Sequence, residues 1–204
     1  MITIVDYGLG NILAFANAYK RLNIGIHIAK TAEDLKLASK IILPGVGAFD
    51  HAMERLNASG MREPLDDLVL SKGLPVIAIC VGMQILAESS EEGREPGLGW
   101  IKGKVRGFRD TPGAQDLPLP HMGWNDVHPL PGQEIFSGLE TDSRFYFLHS
   151  FYFECQESSD IAAHSEYGIR FTSAIAHGSI HGIQFHPEKS HHYGTRLLKN
   201  FADL

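Results

Sequence analysis

The sequence predicts an α/β fold with a largely parallel sheet, on three observations. Short β-branched runs such as ITIVD and GIHIA alternate with segments of helical period. Between these two runs, the apolar residues of segment 12–22 fall on one helical stripe: Ile12, Phe15, Ala16 and Tyr19. The run LPVIAIC, which ends at Cys80, is the most apolar. We therefore expect it at the centre of the sheet, with both of its faces covered.

The remaining elements follow the same logic. KIILPGVGAF repeats the strand and turn, with an apolar run that ends at Pro44 and a glycine-rich loop that leads into a helix around residues 50–57. The second half contains four runs that predict hairpin-forming strands: WIKGKVRGF, PHMGWNDV, RFYFLHSFYFEC and SAIAHGSIHGIQF. We expect this half to extend the sheet and to pack a smaller antiparallel layer beside it.

The length, net charge and cysteine content of the chain restrict its number of domains, its partners and its cellular location. A chain of 204 residues suits one sizeable core, so we expect a single domain over residues 1–204. The net charge of -6, without a basic block, argues against nucleic acid or an anionic membrane as partner. No charged leader or membrane-length apolar run is present, which favours a cytoplasmic location. Cys80 and Cys155 should then be free thiols.

Cys80 lies where a strand meets a turn. The stretch Ala78 to Gly82 has the pattern of a nucleophile elbow, with small residues two before and two after the nucleophile, although glycine is commoner at the position of Ala78. A helix that begins at Val81 would place its positive end beside the thiol and favour the thiolate. Taken alone, this segment is equally compatible with a buried structural cysteine.

A base and an acid are predicted in GIQFHPEKS. The strand that ends at Phe185 is followed by His186, Pro187 interrupts the ladder, and Glu188 comes two residues after the histidine. A cysteine, a histidine and an acid at strand ends can form a triad in which the base takes the thiol proton and the acid orients the base. The alternative for this segment is a solvated turn.

Five segments together resemble the class I glutamine amidotransferases: ICVGMQ, LPGVGAF, FHPEKS, LPHMGWNDV and YFLHSF. The last two are similar to one branch, the glutaminase subunits of imidazole glycerol phosphate synthase. The resemblance covers nearly the whole chain. It implies a flavodoxin-like three-layer domain that hydrolyses L-glutamine to glutamate and passes the ammonia to a partner enzyme, with no cofactor and no metal.

The resemblance also implies roles for individual residues. Cys80 would attack the glutamine amide, His186 would transfer the proton and Glu188 would hold the imidazole. The oxyanion hole would combine the Val81 amide with that of Val46 or Gly47.

Three further side chains match positions that bind glutamine in similar proteins. Gln84 and Glu92 would contact the substrate, and Ser150 would grip its backbone groups. The neighbouring Glu91 is expected in a solvated acidic turn.

The same branch implies a (β/α)₈-barrel cyclase as partner, docked over the mouth of the site to form a heterodimer that makes imidazole glycerol phosphate and AICAR. The interface residues expected there are Asn11, Met122, Trp124 and Lys189. A core position at a strand end is the alternative for Trp124.

One segment departs from the branch, and three function classes stay open. His191 and His192 in KSHHYG are adjacent and cannot share one face, so we expect a surface or partner-facing role for them and no metal site. The second class keeps the glutaminase but supplies a partner that aminates a surface-polysaccharide sugar. The third is an idle regulatory subunit or a cysteine hydrolase of another substrate, such as a peptide.

Overall fold

The computed structural model describes residues 1–204, which form twelve strands and five α-helices. The strands are β1 (Ile2–Val5), β2 (Ile26–Ala29), β3 (Lys40–Gly45), β4 (Val76–Cys80), β5 (Ser89–Ser90), β6 (Gly103–Gly107), β7 (His121–Pro129), β8 (Ser143–His149), β9 (Phe151–Cys155), β10 (Ile161–Tyr167), β11 (Ile169–His177) and β12 (Ile180–Ile183). The helices are α1 (Ile12–Arg21), α2 (Phe49–Ala58), α3 (Arg62–Asp66), α4 (Val81–Gln84) and α5 (His191–Asp203).

The parallel half of the sheet has the order β2-β1-β3-β4-β12, and all four of its pairings are parallel. Strand β4 lies between β3 and β12, and each of its residues is buried. The predicted central position of LPVIAIC is therefore confirmed. A strand covered on both faces has no solvent side, which explains why its sequence does not alternate between apolar and polar residues.

The second half continues the sheet in antiparallel fashion through β11, β10, β7 and β8, while β9 pairs with both β6 and β11. SAIAHGSIHGIQF forms the expected hairpin of β11 and β12. RFYFLHSFYFEC does not form a hairpin, because β8 pairs with β7 whereas β9 pairs with β6 and β11. The chain changes partners at Ser150, between these two strands.

The helices form two groups. Helix α1 packs against α5, and the Tyr19 hydroxyl donates to the Leu198 carbonyl at 3.0 Å, whereas α2 contacts α4. With the sheet they make the three-layer α/β fold that the resemblance implied. The buried stripe of α1 is Phe15, Ala18 and Tyr19. None of the helices is long and apolar enough to cross a membrane.

Candidate active site

The turn after β4 holds Cys80 in an unusual backbone conformation, with φ 57° and ψ -115°. Positive φ is strained for a residue with a side chain and is often found at functional sites. Two glycines make the turn possible. A Cβ on Gly82 would lie 2.1 Å from the Leu43 carbonyl oxygen, and one on Gly45 would lie 2.3 Å from the Gly82 nitrogen. The start of α4 therefore touches the backbone of β3, and the predicted sharp turn is present.

His186 reaches the same edge of the sheet through β12. Strand β12 runs parallel to β4 with Ile183 opposite Ile79, so the residues after both strands end close together. The Nδ1 atom of His186 lies 3.0 Å from Oε1 of Glu188, and both side chains are buried. The Glu188 carboxylate accepts a hydrogen bond from Nδ1–H, which leaves Nε2 for the thiol of Cys80. The structure thus brings the three predicted triad residues together.

The surroundings of His186 favour its charged form. Burial by itself lowers the pKa of His186, but the hydrogen bonding and the charges of Cys80 and Glu188 together outweigh burial and raise that pKa to about 10. Glu188 Oε2 is buried and has no hydrogen-bond partner, so the carboxylate depends on the imidazolium for compensation. This arrangement can hold an imidazolium beside a thiolate.

Helix α4 begins at Val81, as predicted, and is four residues long. A contribution of its first turn to the thiolate stays a prediction. The charged partner that the structure places beside Cys80 is His186.

The loop that carries His186 is clamped by β8 and by the residue that precedes α5. The backbone N–H of His186 donates to the Tyr146 carbonyl at 2.8 Å. The Ser190 hydroxyl donates to the His186 carbonyl at 2.6 Å and accepts from the Tyr146 N–H at 2.9 Å. Because the hydroxyl bridges two chain segments, the imidazole is positioned by backbone contacts before any substrate arrives.

A cavity of about 290 Å³ opens above the sulfur. This volume is at the small end for ligand sites and suits an amino acid. Its lining includes the residues predicted for the oxyanion hole and for substrate binding, which are Val46, Gly47, Val81, Gln84, Glu92 and Ser150. The predicted nucleophile Cys80, the base His186 and the interface residue Lys189 also line it. Glu188 lies behind His186 and does not line the cavity.

Glu92 is the anion of this cavity. Its Oε2 atom accepts from the Phe49 N–H at 2.9 Å at the start of α2, and its other oxygen has no protein donor. Burial raises the pKa of Glu92 in spite of this hydrogen bond, and the charge of Asp50 adds to the rise. Glu92 therefore offers a fixed carboxylate with one oxygen free to meet the ammonium group of an amino acid.

A family model for class-I glutamine amidotransferases matches residues 3–204. The chain belongs to this family. It is 61% identical over 204 residues to the imidazole glycerol phosphate synthase subunit HisH of Bdellovibrio bacteriovorus and 53% identical over 204 residues to that of Leptospira interrogans, and each comparison covers 100% of both chains. A crystal structure of a glutamine amidotransferase superposes with a TM-score of 0.77 at 19% identity, covering 99% of this chain and 97% of the other, and it shows the same fold.

Two predicted interface residues are exposed on β7, whose neighbour β8 contributes Leu148 to the cavity wall. Met122 is 65% exposed and Trp124 is 40% exposed, so the core reading of Trp124 is wrong. The indole stacks on the His191 ring at 5.3 Å between centroids, with an angle of 11° between the planes. Lys189 lines the cavity and lies over the Tyr146 ring.

Asn11 stands just before α1, on the loop that follows β1. In this loop a Cβ on Gly10 would lie 2.7 Å from the Pro44 side chain. Pro44 belongs to β3, whose end leads into the cavity loop at Val46. The Asn11 loop therefore adjoins the rim, although Asn11 itself does not line the cavity.

Glu91 is exposed, as expected for a solvated acidic turn, and it also makes two contacts. Its Oε1 atom lies 2.7 Å from Nε of Arg106, and its Oε2 atom accepts from the Gly107 N–H at 3.0 Å. Glu91 thus ties the turn to β6 and holds it beside the cavity, while the next residue, Glu92, points its carboxylate to α2.

Sequence reasoning missed three residues around the nucleophile. His149 and Pro120 line the cavity, and Gln184 is fully buried with its amide nitrogen 3.8 Å from the Cys80 sulfur. Pro120 and His149 occur within motifs that already pointed to the family, and Gln184 directly precedes a third, FHPEKS. Their place in the sequence could have indicated them, since each lies within two residues of a predicted site or interface residue.

Proposed function

We propose that this chain is the glutaminase subunit of an imidazole glycerol phosphate synthase, which hydrolyses L-glutamine to glutamate and ammonia for histidine biosynthesis. The observation that supports this most directly is the alignment of Cys80, His186 and Glu188 below a cavity of amino-acid size. Full-length identity of 61% to a subunit of that name supports the pathway. In this proposal the chain works as a single domain in the cytoplasm and needs no cofactor.

The first half-reaction forms a thioester. The Cys80 thiolate attacks the side-chain carbonyl carbon of glutamine, which forms an S–C bond and moves the charge to oxygen. The amides of Val81 and of Val46 or Gly47 would donate to that oxyanion. The imidazolium of His186 then gives its Nε2 proton to the amide nitrogen, the C–N bond breaks and ammonia leaves.

The second half-reaction releases glutamate. Water attacks the thioester carbonyl while neutral His186 accepts its proton at Nε2. The S–C bond then breaks and the thiolate is restored beside the imidazolium. Glu188 stays ionised throughout, since its role is to hold the ring and to stabilise the positive charge that returns in each half-reaction.

Glu92 gives a prediction about binding. Glu92→Gln is expected to raise KM for glutamine by about tenfold with little change in kcat, because an anion that meets the substrate ammonium acts equally in the ground and transition states. The amide oxygen of the new side chain can still accept from Phe49, so the loop is retained. His186→Ala should instead lower kcat. Steady-state kinetics of both variants would contradict these roles if the two profiles were the same.

The exposed apolar rim supports a partner at the mouth of the cavity. Val46 and Leu148 are exposed in the cavity wall. Met122, which pairs with Leu148, and Trp124 are exposed on the adjacent strand β7. Ammonia released into water is lost to protonation, so a partner seated on this rim would protect it. We propose a (β/α)₈-barrel cyclase as that partner in a heterodimer, with Asn11 and Lys189 as polar contacts. The isolated chain should then be a poor glutaminase.

Trp124 gives a prediction about this interface. Trp124→Ala is expected to weaken binding of the cyclase by about 2 kcal/mol, roughly thirtyfold, because a large aromatic at the centre of an interface is a typical hot spot. Leu70→Ala is the matched control, since Leu70 is 55% exposed but precedes the opposite, amino end of β4. Titration calorimetry with the cyclase measures both. Equal affinity of Trp124→Ala and wild type would remove Trp124 from the interface.

One assay tests the function as a whole. Glutamine hydrolysis is measured for the chain alone and then with a cognate cyclase and its nucleotide ligand, with imidazole glycerol phosphate and AICAR as expected products. Stimulation only by a sugar-modifying partner would favour the polysaccharide alternative, which the relatives reported above do not favour. If no glutamine were hydrolysed under any condition, the remaining explanations would be an idle regulatory subunit or a hydrolase of another substrate. Full activity without a partner would contradict the proposed dependence on the cyclase.

A further inference from the structure

Gln184 is a fully buried polar side chain that the mechanism above does not use. It directly follows β12, and the register of β12 with β4 places it beside Cys80, one step beyond the pair of Ile183 and Ile79. Its backbone N–H donates to the Ser173 carbonyl at 2.9 Å, which anchors the residue to β11. Its side-chain Nε2 atom lies 3.8 Å from the Cys80 sulfur, a long contact that the size of sulfur permits.

The orientation of this amide follows from its neighbours. The Phe151 carbonyl can only accept, and it lies 3.2 Å from Gln84 Nε2, so the nitrogen of Gln84 must face it. The same nitrogen lies 3.1 Å from the side-chain oxygen of Gln184. That oxygen is therefore the acceptor for Gln84, and the N–H group of Gln184 is the end that faces the sulfur.

A histidine pair keeps the Phe151 carbonyl in place. His149 Nδ1 lies 2.7 Å from that carbonyl and must donate to it, so His149 Nε2 accepts from His121 Nδ1 at 2.8 Å. His121 Nε2 in turn accepts from the Asn125 amide at 3.2 Å. Burial lowers the pKa of both histidines, which keeps the two rings neutral as this chain requires. The amide of Gln184 thus stands at one end of a buried network in which the Phe151 carbonyl accepts from both His149 and Gln84.

We propose that Gln184 donates a hydrogen bond to the Cys80 sulfur and stabilises the thiolate, which makes it a second catalytic donor beside His186. A fixed N–H group stabilises a charged acceptor more than a neutral one. In the thiol form, the S–H group can donate to the Leu148 carbonyl at 3.9 Å. A thiolate has no proton to donate to that carbonyl and can only accept hydrogen bonds. The carboxamide therefore acts selectively on the form that attacks the substrate.

Other groups that face the sulfur do not duplicate this role. His186 supplies the positive charge, and Lys189 lies at the cavity wall. Tyr7 follows β1, and its hydroxyl donates to the Pro44 carbonyl rather than to the sulfur. Burial, with a smaller part from the Cys80 charge, raises the pKa of Tyr7 and keeps it neutral. Glu92 is anionic and lines the cavity, so it opposes the thiolate.

The test measures alkylation of Cys80 by iodoacetamide across pH in Gln184→Met, Gln184→Glu and Ser173→Ala. Gln184→Met keeps the length of the side chain but removes the donor, and we expect about tenfold slower alkylation at neutral pH, with the half-maximal pH about one unit higher. Gln184→Glu places an acceptor at the sulfur and should shift the profile further. Ser173→Ala is the matched control, because it removes a buried hydroxyl without a hydrogen-bond partner on the strand that anchors Gln184. A wild-type profile in Gln184→Met would overturn the proposal.

A second measurement covers the case in which these variants fail to fold. In the isotope-labelled wild-type chain, the side-chain N–H resonance of Gln184 should follow the ionisation of Cys80 with pH and should lose this response in Cys80→Ser. A resonance without that response would also overturn the proposal.

Turnover gives an additional readout that rests on the proposed glutaminase function. Gln184→Met in the complex with the cyclase should lower kcat about tenfold and leave KM within about twofold. Alkylation does not depend on that function. If Gln184→Met shifted the alkylation profile but the chain never hydrolysed glutamine, the proposed function would be contradicted. The proposed hydrogen bond from Gln184 to Cys80 would still be supported.

Discussion

Replacing Cys80 by serine is expected to lower glutamine hydrolysis by at least about a thousandfold, measured with the cyclase partner present. The sulfur is the atom that forms and breaks the bond to the substrate, and a serine hydroxyl is far less acidic than a thiol. The elbow, with φ 57° at position 80, places Cys80 at the cavity, and it is the only thiol among the lining residues. A Cys80→Ser variant with full activity would remove Cys80 from the mechanism.

The second cysteine is the control for this experiment. Burial raises the pKa of Cys155 to about 12, with a smaller contribution from the charge of Asp160, so at neutral pH Cys155 is almost entirely a thiol. We expect brief treatment with iodoacetamide to modify Cys80 first, as detected by mass spectrometry of peptides. Cys155→Ser should retain hydrolysis. Preferential labelling of Cys155 would contradict the assignment of the nucleophile.

Gly82→Ala is expected to destabilise the protein by about 3 kcal/mol or more, which is near the upper end for added volume in a packed core. The new Cβ would lie 2.1 Å from the carbonyl oxygen of Leu43 and 3.2 Å from the carbonyl carbon of Pro44. These are backbone atoms of β3, a strand at the centre of the sheet, so no flexible side chain can move aside. The elbow would have to separate from β3.

Gly25→Ala is the matched control for this prediction. No atom lies within 4 Å of a Cβ built on Gly25, and its backbone is not in the left-handed region. An alanine there should leave stability unchanged or raise it by about 0.4 to 1 kcal/mol, since it restricts the unfolded chain. Urea unfolding followed by circular dichroism compares the two variants. If Gly82→Ala unfolded at the wild-type midpoint, the close approach of α4 and β3 would not be needed for stability.

Much of the candidate site was predictable from local sequence. A strand that ends at Cys80, small residues on both sides of it, and a strand that ends before His186 and Glu188 are patterns within ten residues or fewer. Local constraints of this kind specify a turn and the end of a strand, because they depend on the conformations open to neighbouring residues. The strand ends in turn predict that these side chains share one edge of a parallel sheet.

Contacts between distant segments needed the tertiary structure. Glu91 is exposed as expected, but its pairing with Arg106 of β6 was not predicted. Trp124 could have been a core residue but is exposed and stacks on His191. The pattern around each residue is compatible with both outcomes. The outcome depends on which segment packs beside it, and nothing within a few residues specifies that neighbour.

The α/β class, the central place of β4 and the candidate nucleophile, base and acid could all be predicted from local sequence patterns. The contact of Gln184 with Cys80 could not, because the two residues are 104 positions apart. That contact depends on the register between β12 and β4. Register results from the packing of whole strands and helices, and a shift of one residue would turn every side chain to the other face of the sheet.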